Sequence, residues 1–111
     1  MRILTKLEES VLLTILKLKN NAYIVSIKDQ LERFTSKNMS FGALYVALNR
    51  LIKYGYLESH IGESSSLRGG RAKKYYKLTK NGVFALKDIR QQQNLMWKGF
   101  ENLADELLEG Q

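Results

Sequence analysis

The sequence predicts a mainly α fold that contains one small β-hairpin and ends in a long helix. Three segments with helical spacing of apolar residues come first. Two short segments with alternating apolar residues follow, and a heptad-like pattern occupies the last part of the chain. The chain has 111 residues, of which 44% are hydrophobic and 26% charged, so it is large enough to bury one small core. These features are typical of a globular protein.

The first two helices are predicted from their caps and their apolar faces. Thr5 and Glu8 have the spacing of a capping box, so the first helix begins after Thr5, and it ends at Asn20-Asn21. A second helix follows over Tyr23–Ser36. Its apolar face contains Ile24, Ile27, Leu31 and Phe34.

The third helix is predicted to lie between Ser40, a favourable N-cap residue, and Gly55, a favourable residue just past a helix end. When its leucines point inward, its opposite side is polar, aromatic and basic. The predicted core residues are Phe41, Leu44, Leu48 and Leu51. The predicted outer residues are Gly42, Val46, Asn49, Arg50 and Lys53, flanked by Ala43 and Tyr45.

Two antiparallel strands are predicted next, the first over Tyr56–Ser64 and the second over Ala72–Leu78. The stretch 64–71 between them is rich in Gly and Ser and predicts a flexible, basic hairpin tip. In the second strand, Tyr76 and Leu78 share one face, while Tyr75 and its neighbours Lys73 and Lys77 share the other.

A single helix is predicted from Thr79, its N-cap, to about Leu108, with a length of roughly 45 Å. Apolar residues recur along it at intervals of three and four if Gln93 fills one polar position. They are Leu86, Ile89, Met96, Phe100, Leu103 and Leu107. Because a small domain cannot cover so long a stripe, we expect a second copy of the chain to cover it. The alternative is that the helix folds back on the first helix.

The order helix, helix, helix, strand, strand, long helix predicts a winged helix-turn-helix domain over residues 1–78. A C-terminal dimerisation helix over residues 79–111 completes this division of the chain.

Composition argues against several classes of protein. The absence of cysteine excludes disulfides, Cys-ligated metal sites and a thiol nucleophile. The single histidine, His60, falls on a predicted strand, and we predict no catalytic group, metal or cofactor. No apolar run is long enough to span a bilayer, and Met1 leads directly into the first helix, which argues against a signal peptide. The expected location is the cytoplasm.

The charge favours a polyanionic partner. Eighteen Lys and Arg against eleven Asp and Glu give a net charge of +7. Residues 61–82 contain six basic residues and only one acidic residue, whereas residues 83–111 are acidic overall. A concentrated basic segment is typical of nucleic-acid binding. The alternative is an ordinary solvated surface.

Two motifs resemble the PadR family of bacterial transcriptional regulators. Gly42-Ala43-Leu44-Tyr45-Val46-Ala47-Leu48-Asn49-Arg50-Leu51, followed by Tyr54-Gly55-Tyr56-Leu57, resembles the recognition helix of that family. Gly69-Gly70-Arg71-Ala72-Lys73-Lys74-Tyr75-Tyr76-Lys77-Leu78-Thr79, with Gly82, resembles its wing. The resemblance covers about residues 5–108. The chain departs from it at Val46, where many relatives have proline, and at Ile52, where an acidic residue often follows the Arg-Leu pair.

The resemblance implies a homodimeric repressor of the short subgroup, with double-stranded DNA as its partner and a roughly palindromic operator. Expected DNA-contacting residues in the third helix are Ser40, Gly42, Ala43, Tyr45, Asn49, Arg50 and Lys53. Those in the wing are Arg68, Arg71, Lys73 and Lys74. Tyr45 has a second interpretation, as a residue at the rim of the core.

Some members of this subgroup respond to small aromatic compounds, which draws attention to the only tryptophan, Trp97. We expect it to line an effector site at the dimer interface with Gln93 and Met96, or to serve only in packing. A different class of function is also open: a protein–protein adaptor that uses the winged helix without reading DNA. An enzyme is the least favoured, since no residues for catalysis are found.

Overall fold

The computed structural model of the chain describes residues 3–62 and 72–110. Its elements are α1 (Lys6–Leu18), α2 (Ile24–Thr35), α3 (Phe41–Lys53), β1 (Leu57–Ile61), β2 (Lys74–Leu78), α4 (Lys80–Trp97) and α5 (Phe100–Glu109). A 3-10 turn, Lys19–Asn21, links α1 and α2. The predicted mainly α fold with one antiparallel hairpin is confirmed. The predicted hairpin tip, with Arg68 and Arg71, lies outside the described residues.

Helices α1, α3 and α4 begin, and α3 ends, where the sequence predicts their caps. The Thr5 backbone N–H donates to Glu8 Oε1 at 2.9 Å, and the Glu8 N–H donates to Thr5 Oγ1 at 3.0 Å. Ser40 and Thr79 cap α3 and α4, since each hydroxyl oxygen accepts from the N–H three residues later, at 3.0 and 3.1 Å. Gly55 has φ +81°, the left-handed conformation that glycine adopts without steric cost. Local hydrogen bonding therefore sets these helix ends.

The core lies where α1, α2 and α3 meet the inner face of the hairpin. Its largest buried side chains are Val11, Leu12, Ile15, Ile27, Leu31, Leu44, Leu48, Leu51 and Tyr76. The prediction that Phe41 belongs to this core is wrong, because its side chain is 46% exposed. Phe41 is the first residue of α3 and lies at the rim, with the Lys28 ammonium 5.2 Å from its ring centroid.

The hairpin is shorter than predicted and is attached to the helices through its second strand. Leu57 pairs with Leu78, and Ile61 pairs with Lys74. The Tyr76 N–H donates to the Ala22 carbonyl at 2.8 Å, which ties β2 to the start of α2. The Tyr76 side chain is buried and points toward the core.

The junction between α3, the hairpin and α4 is tightly packed. Thr79 Oγ1 donates to the Gly55 carbonyl at 2.6 Å, and the Thr79 N–H donates to the Tyr56 carbonyl at 3.1 Å. Gly82, in the first turn of α4, faces Tyr56. A Cβ at position 82 would overlap the Tyr56 carbonyl oxygen and lie 3.2 Å from its carbonyl carbon. The start of α4 is thus fixed against the end of α3.

The C-terminal region contains the predicted long helix, α4, but the prediction of one continuous helix to Leu108 is wrong. Lys98 has ψ 128° and Gly99 has φ +82°, so the chain turns between α4 and α5. The heptad-like pattern continues through this point, but Gly99 makes the left-handed turn sterically inexpensive. No residue of α5 is buried. The longest dimension of the molecule is 66 Å.

The apolar stripe is also divided differently from the prediction. Leu86 is only 9% exposed and belongs to the core of its own chain, because the first turns of α4 pack against the winged-helix body. Assigning Leu86 to a dimer interface is therefore wrong. Ile89 is half-buried. The rest of the stripe, from Met96 onward, is exposed.

Candidate nucleic-acid interface

Helix α3 presents an outward face of small, polar and basic residues. Leu44, Ala47, Leu48 and Leu51 are buried on its inner face. The residues predicted to contact DNA from this helix are all exposed: Ser40, Gly42, Ala43, Tyr45, Asn49, Arg50 and Lys53. In the part of the chain that the structure describes, neither Arg50 nor Lys53 forms an ion pair. Their positive charges are therefore not compensated by a neighbouring carboxylate.

The turn that leads into α3 is held by a carboxylate of α2. Glu32 Oε2 accepts hydrogen bonds from the Met39 N–H and from Lys28 Nζ, both at 2.9 Å. These contacts, the one with Lys28 first, lower the pKa of the Glu32 carboxyl below its usual value. Sequence analysis does not identify this role of Glu32, because no local pattern connects it with a backbone N–H beyond the turn. Glu32 thereby connects α2 to the turn that precedes α3.

The described part of the wing carries two of the four predicted basic contacts. Lys73 and Lys74 are both exposed; Lys74 is the first residue of β2 and Lys73 directly precedes it. Lys74 Nζ lies 5.7 Å from the Tyr76 ring centroid. Lys77, by contrast, is paired with Glu58 on β1 at 3.3 Å, which offsets its charge. Lys73 and Lys74 form no ion pair within the described ranges.

A pair of tyrosines lies between α3 and β2. The Tyr76 hydroxyl is buried and has no hydrogen-bond partner within residues 3–62 and 72–110. Burial, with a smaller contribution from nearby Tyr45, raises the pKa of the Tyr76 phenol. Tyr45 is 46% exposed, so it belongs to the outer surface of α3 while lying close to a buried neighbour.

A second candidate site lies between α1 and α4. It is a groove of about 610 Å³, lined by Ile3, Leu4, Glu9, Ile89, Gln92, Gln93, Met96 and Trp97. Gln93 Nε2 donates to both carboxylate oxygens of Glu9, at 3.2 and 3.3 Å. The three residues predicted for effector binding, Gln93, Met96 and Trp97, thus line one groove. An aromatic wall, an amide and a carboxylate are suited to a planar ligand with a polar or cationic group.

An apolar surface extends from this groove along α5. We call it the C-terminal apolar surface; it consists of Leu95, Met96, Trp97, Phe100, Leu103, Leu107 and Leu108, all exposed. Trp97 is 63% exposed and meets the Phe100 ring edge-on, with centroids 4.9 Å apart. Exposed large apolar side chains in such number along one region of the chain are typical of an interaction surface.

His60 is exposed on β1, as predicted, and stacks on Tyr75. No cluster of three metal-ligating side chains occurs in residues 3–62 and 72–110. Of the helices described, none combines the length and apolar character needed to cross a membrane.

Comparison with known proteins gives one consistent result. The family model described as the transcriptional regulator PadR-like family matches residues 11–88, which include α2, α3, the hairpin and the start of α4. No curated protein sequence is significantly similar to the chain.

Several solved structures share the fold. A PadR-like transcriptional regulator from Bacillus cereus is 27% identical, with a TM-score of 0.68, covering 95% of this chain and 93% of that one. A PadR family regulator from Clostridium difficile is 26% identical, with a TM-score of 0.63 and coverage of 91% and 97%. A PadR-like transcription factor from Bacteroides fragilis is also 26% identical, with a TM-score of 0.64 and coverage of 91% and 88%.

Proposed function

This chain belongs to the PadR-like family of transcriptional regulators, and from that premise we propose that it represses transcription by binding a specific DNA sequence as a homodimer. Its family consists of transcriptional regulators, so the chain is a regulator and not an enzyme. The repression, the DNA sequence preference and the dimer are parts of the proposal.

The observation that carries the proposal is the outer face of α3. Helices of this kind enter the major groove, where amide side chains pair with adenine and basic side chains meet phosphates. Asn49 is assigned to base contact, while Ser40, Tyr45 and Lys53 are assigned to the backbone. Gly42 and Ala43, having little or no side chain, allow close approach to the duplex. Within residues 3–62 and 72–110 no carboxylate pairs with Arg50 or Lys53, which supports this assignment.

The wing is assigned the sequence-independent part of binding. Lys73 and Lys74 are exposed and unpaired in the described ranges, and Arg68 and Arg71 precede them in the sequence. Cations of this kind neutralise phosphates and release counterions, so the affinity depends strongly on salt.

The C-terminal apolar surface is assigned to the dimer, with residues 1–78 as the DNA-binding domain and 79–111 as the dimerisation region. A two-fold partner presents the same apolar area and covers it. It would also set two α3 helices at successive major grooves, about 34 Å apart, which implies a roughly palindromic operator. The location that suits this function is the cytoplasm.

The groove at Gln93, Met96 and Trp97 is assigned to a small aromatic effector that relieves DNA binding. Because Trp97 is the only tryptophan, its fluorescence reports directly on this site. Planar aromatic cations should quench it saturably at micromolar concentration, whereas N-acetyltryptophanamide in the same solutions should show no saturation. If a broad panel gives only the linear quenching of the free indole, Trp97 serves in packing and not in ligand binding.

Competitive electrophoretic mobility shift tests the DNA-binding proposal. The labelled probe is the DNA upstream of the chain's own gene, and the competitor is excess random duplex at moderate salt. We expect a retarded complex that survives the competitor, and a duplex with scrambled half-sites should lose it. Equal displacement by random and upstream DNA would favour a protein–protein adaptor instead.

A further inference from the structure

A ladder of aromatic rings connects the wing to the start of α2. His60 on β1 stacks on Tyr75 of β2, with centroids 5.7 Å apart and an interplanar angle of 19°. Tyr75 in turn meets Tyr23 edge-on, at 5.7 Å and 69°. On the Tyr23 ring lies the ammonium of Lys73, only 4.2 Å from the ring centroid. This ladder of ring contacts therefore ends at the Lys73 ammonium, which the proposed function assigns to DNA binding.

The backbone holds this ladder in place. Tyr23 and Tyr75 form an isolated antiparallel bridge. The Gly62 N–H donates to the Lys73 carbonyl at 2.8 Å, which fixes the backbone from which the lysine extends. A Cβ at Gly62 would lie 2.5 Å from Tyr75 Cε2, so the glycine is what allows the Tyr75 ring to lie against β1.

Lys73 differs from the other lysines that lie over rings in the described residues. The ammonium-to-centroid distances are 5.2 Å for Lys28, 5.4 Å for Lys17 and 5.7 Å for Lys74, against 4.2 Å for Lys73. Lys28 also forms an ion pair with Glu32, whereas Lys73 has no carboxylate partner within the described ranges. The exposed Lys73 ammonium thus lies against a ring, and no carboxylate among the described residues pairs with it.

We propose that Tyr23 is a positioning residue for DNA binding, whose ring face holds the Lys73 ammonium where the wing meets a phosphate. A lysine side chain loses much rotational freedom when its ammonium is fixed by a ligand. The Tyr23 ring already restricts the Lys73 ammonium before DNA binds, so less rotational freedom is lost on binding. The N–H groups on the side away from the ring remain open to an anion. This inference rests on the proposed DNA-binding function, and it adds a residue that no sequence pattern associates with the wing.

The free protein provides a first test, independent of DNA. Protons on the carbon next to the Lys73 ammonium should be shifted upfield by the Tyr23 ring current in NMR spectra. Tyr23→Phe should retain this shift, and Tyr23→Leu should abolish it. Lys37, which is exposed and lies over no ring among the described residues, is the reference. Identical shifts for Lys73 and Lys37 in the wild type would overturn the proposal.

Binding to operator DNA provides the second test. Tyr23→Leu should lower the affinity about two- to fivefold, the range expected for an exposed cation–ring contact, whereas Tyr23→Phe should bind like the wild type. In a Lys73→Ala background, Tyr23→Leu should cause no further loss. The Tyr23 side chain does not cap α2, because it is the backbone N–H of Tyr23 that donates to Ser26 Oγ, at 3.0 Å. Matching thermal transitions will verify that each variant is folded.

The outcomes separate the two proposals. If the wild type binds no DNA specifically, the proposed function fails, and the role of Tyr23 fails with it. If the wild type binds but Tyr23→Leu is unchanged, or if its loss persists fully in the Lys73→Ala background, only the positioning role fails. An equal loss in Tyr23→Phe and Tyr23→Leu would instead indicate that the Tyr23 hydroxyl itself is the contact.

Discussion

In the proposed complex, Asn49 and the wing lysines would act on a DNA duplex by different physical means. Asn49, exposed on α3, carries one donor and one acceptor group that match the edge of adenine. Lys73 and Lys74 carry point charges that attract any phosphate irrespective of sequence. Specificity and general affinity are therefore expected to reside in different residues.

Asn49→Ala should reduce discrimination between the operator and random DNA by about 1–3 kcal/mol, the value of one lost base contact. Affinity for random duplex should change little, because the phosphate contacts remain. Fluorescence anisotropy with both duplexes at one salt concentration measures the difference. Equal weakening on the two duplexes would remove Asn49 from base recognition.

The matched control for Asn49→Ala is the double variant Lys73→Ala/Lys74→Ala. It should weaken binding to both duplexes equally and reduce the log–log salt slope by about 1–2. An unchanged slope would show that these two lysines do not meet phosphates.

Gly82 illustrates a residue whose importance is purely steric. Gly82→Ala forces a methyl group against the Tyr56 carbonyl, which lies in the backbone of the tight junction and cannot rotate away. We expect a loss of about 1–3 kcal/mol in the free energy of unfolding, measured by urea denaturation. Gly42→Ala is the control: its Cβ meets only Ser40 Oγ at 4.0 Å, so stability should hold or rise by up to about 1 kcal/mol. Equal stability of both variants would contradict the packing described.

At the scale of elements, the break between α4 and α5 depends on one residue. Gly99 has φ +82°, and a Cβ there would meet no atom within 4 Å. Lack of space is therefore not the reason for glycine at position 99. The reason is the left-handed backbone conformation, which costs an L-residue about 1–2 kcal/mol.

Gly99→Ala should join α4 and α5 into one continuous helix, because no buried contact of α5 opposes straightening. We expect more negative ellipticity at 222 nm than in the wild type. The adjacent Lys98→Ala variant, which leaves Gly99 in place, should keep the wild-type signal. A Gly99→Ala variant with unchanged helicity would mean that other contacts hold the turn.

This break marks the limit of what the sequence predicts. The ends of α1 and α3 were predictable, because caps such as Thr5 and Ser40 act over three residues. The helix break was not, since the heptad-like pattern continues through Gly99, and one glycine costs an ordinary helix only about 1 kcal/mol. Long-range contacts were not predictable either: neither the burial of Leu86 under the body nor the contact between Tyr23 and Lys73 leaves a local pattern.

At the scale of the whole molecule, the isolated chain leaves a large apolar area uncovered. Met96 is 84% exposed, and Leu103 and Leu107 are similarly accessible on α5. Burying one large apolar side chain contributes about 1.5–3 kcal/mol, so covering several of them together strongly favours association.

Sedimentation equilibrium at low micromolar concentration should give twice the chain mass of 12.8 kDa. Leu103→Asp/Leu107→Asp should dissociate the dimer and abolish operator binding, although neither residue belongs to the DNA-binding face. Asn102→Asp adds a charge to the same helix without removing an apolar side chain, and it should leave the dimer intact. A wild-type mass near that of one chain would contradict the dimer.

The Thr79 hydroxyl connects the end of α3 with the start of α4, so a small rotation of α4 about this point moves the far end of α4 by a larger distance. This one oxygen donates to the Gly55 carbonyl just past the end of α3 and accepts from the Gly82 N–H in the first turn of α4. An 18-residue helix is roughly 27 Å long, so a tilt of about 4° at this pivot displaces the far end of α4 by roughly 2 Å. Conversely, a partner chain that fixed the far end of α4 would restrict the direction of α3 in the proposed dimer. In the proposed dimer, the angle at Thr79 would therefore set the spacing between the two α3 helices.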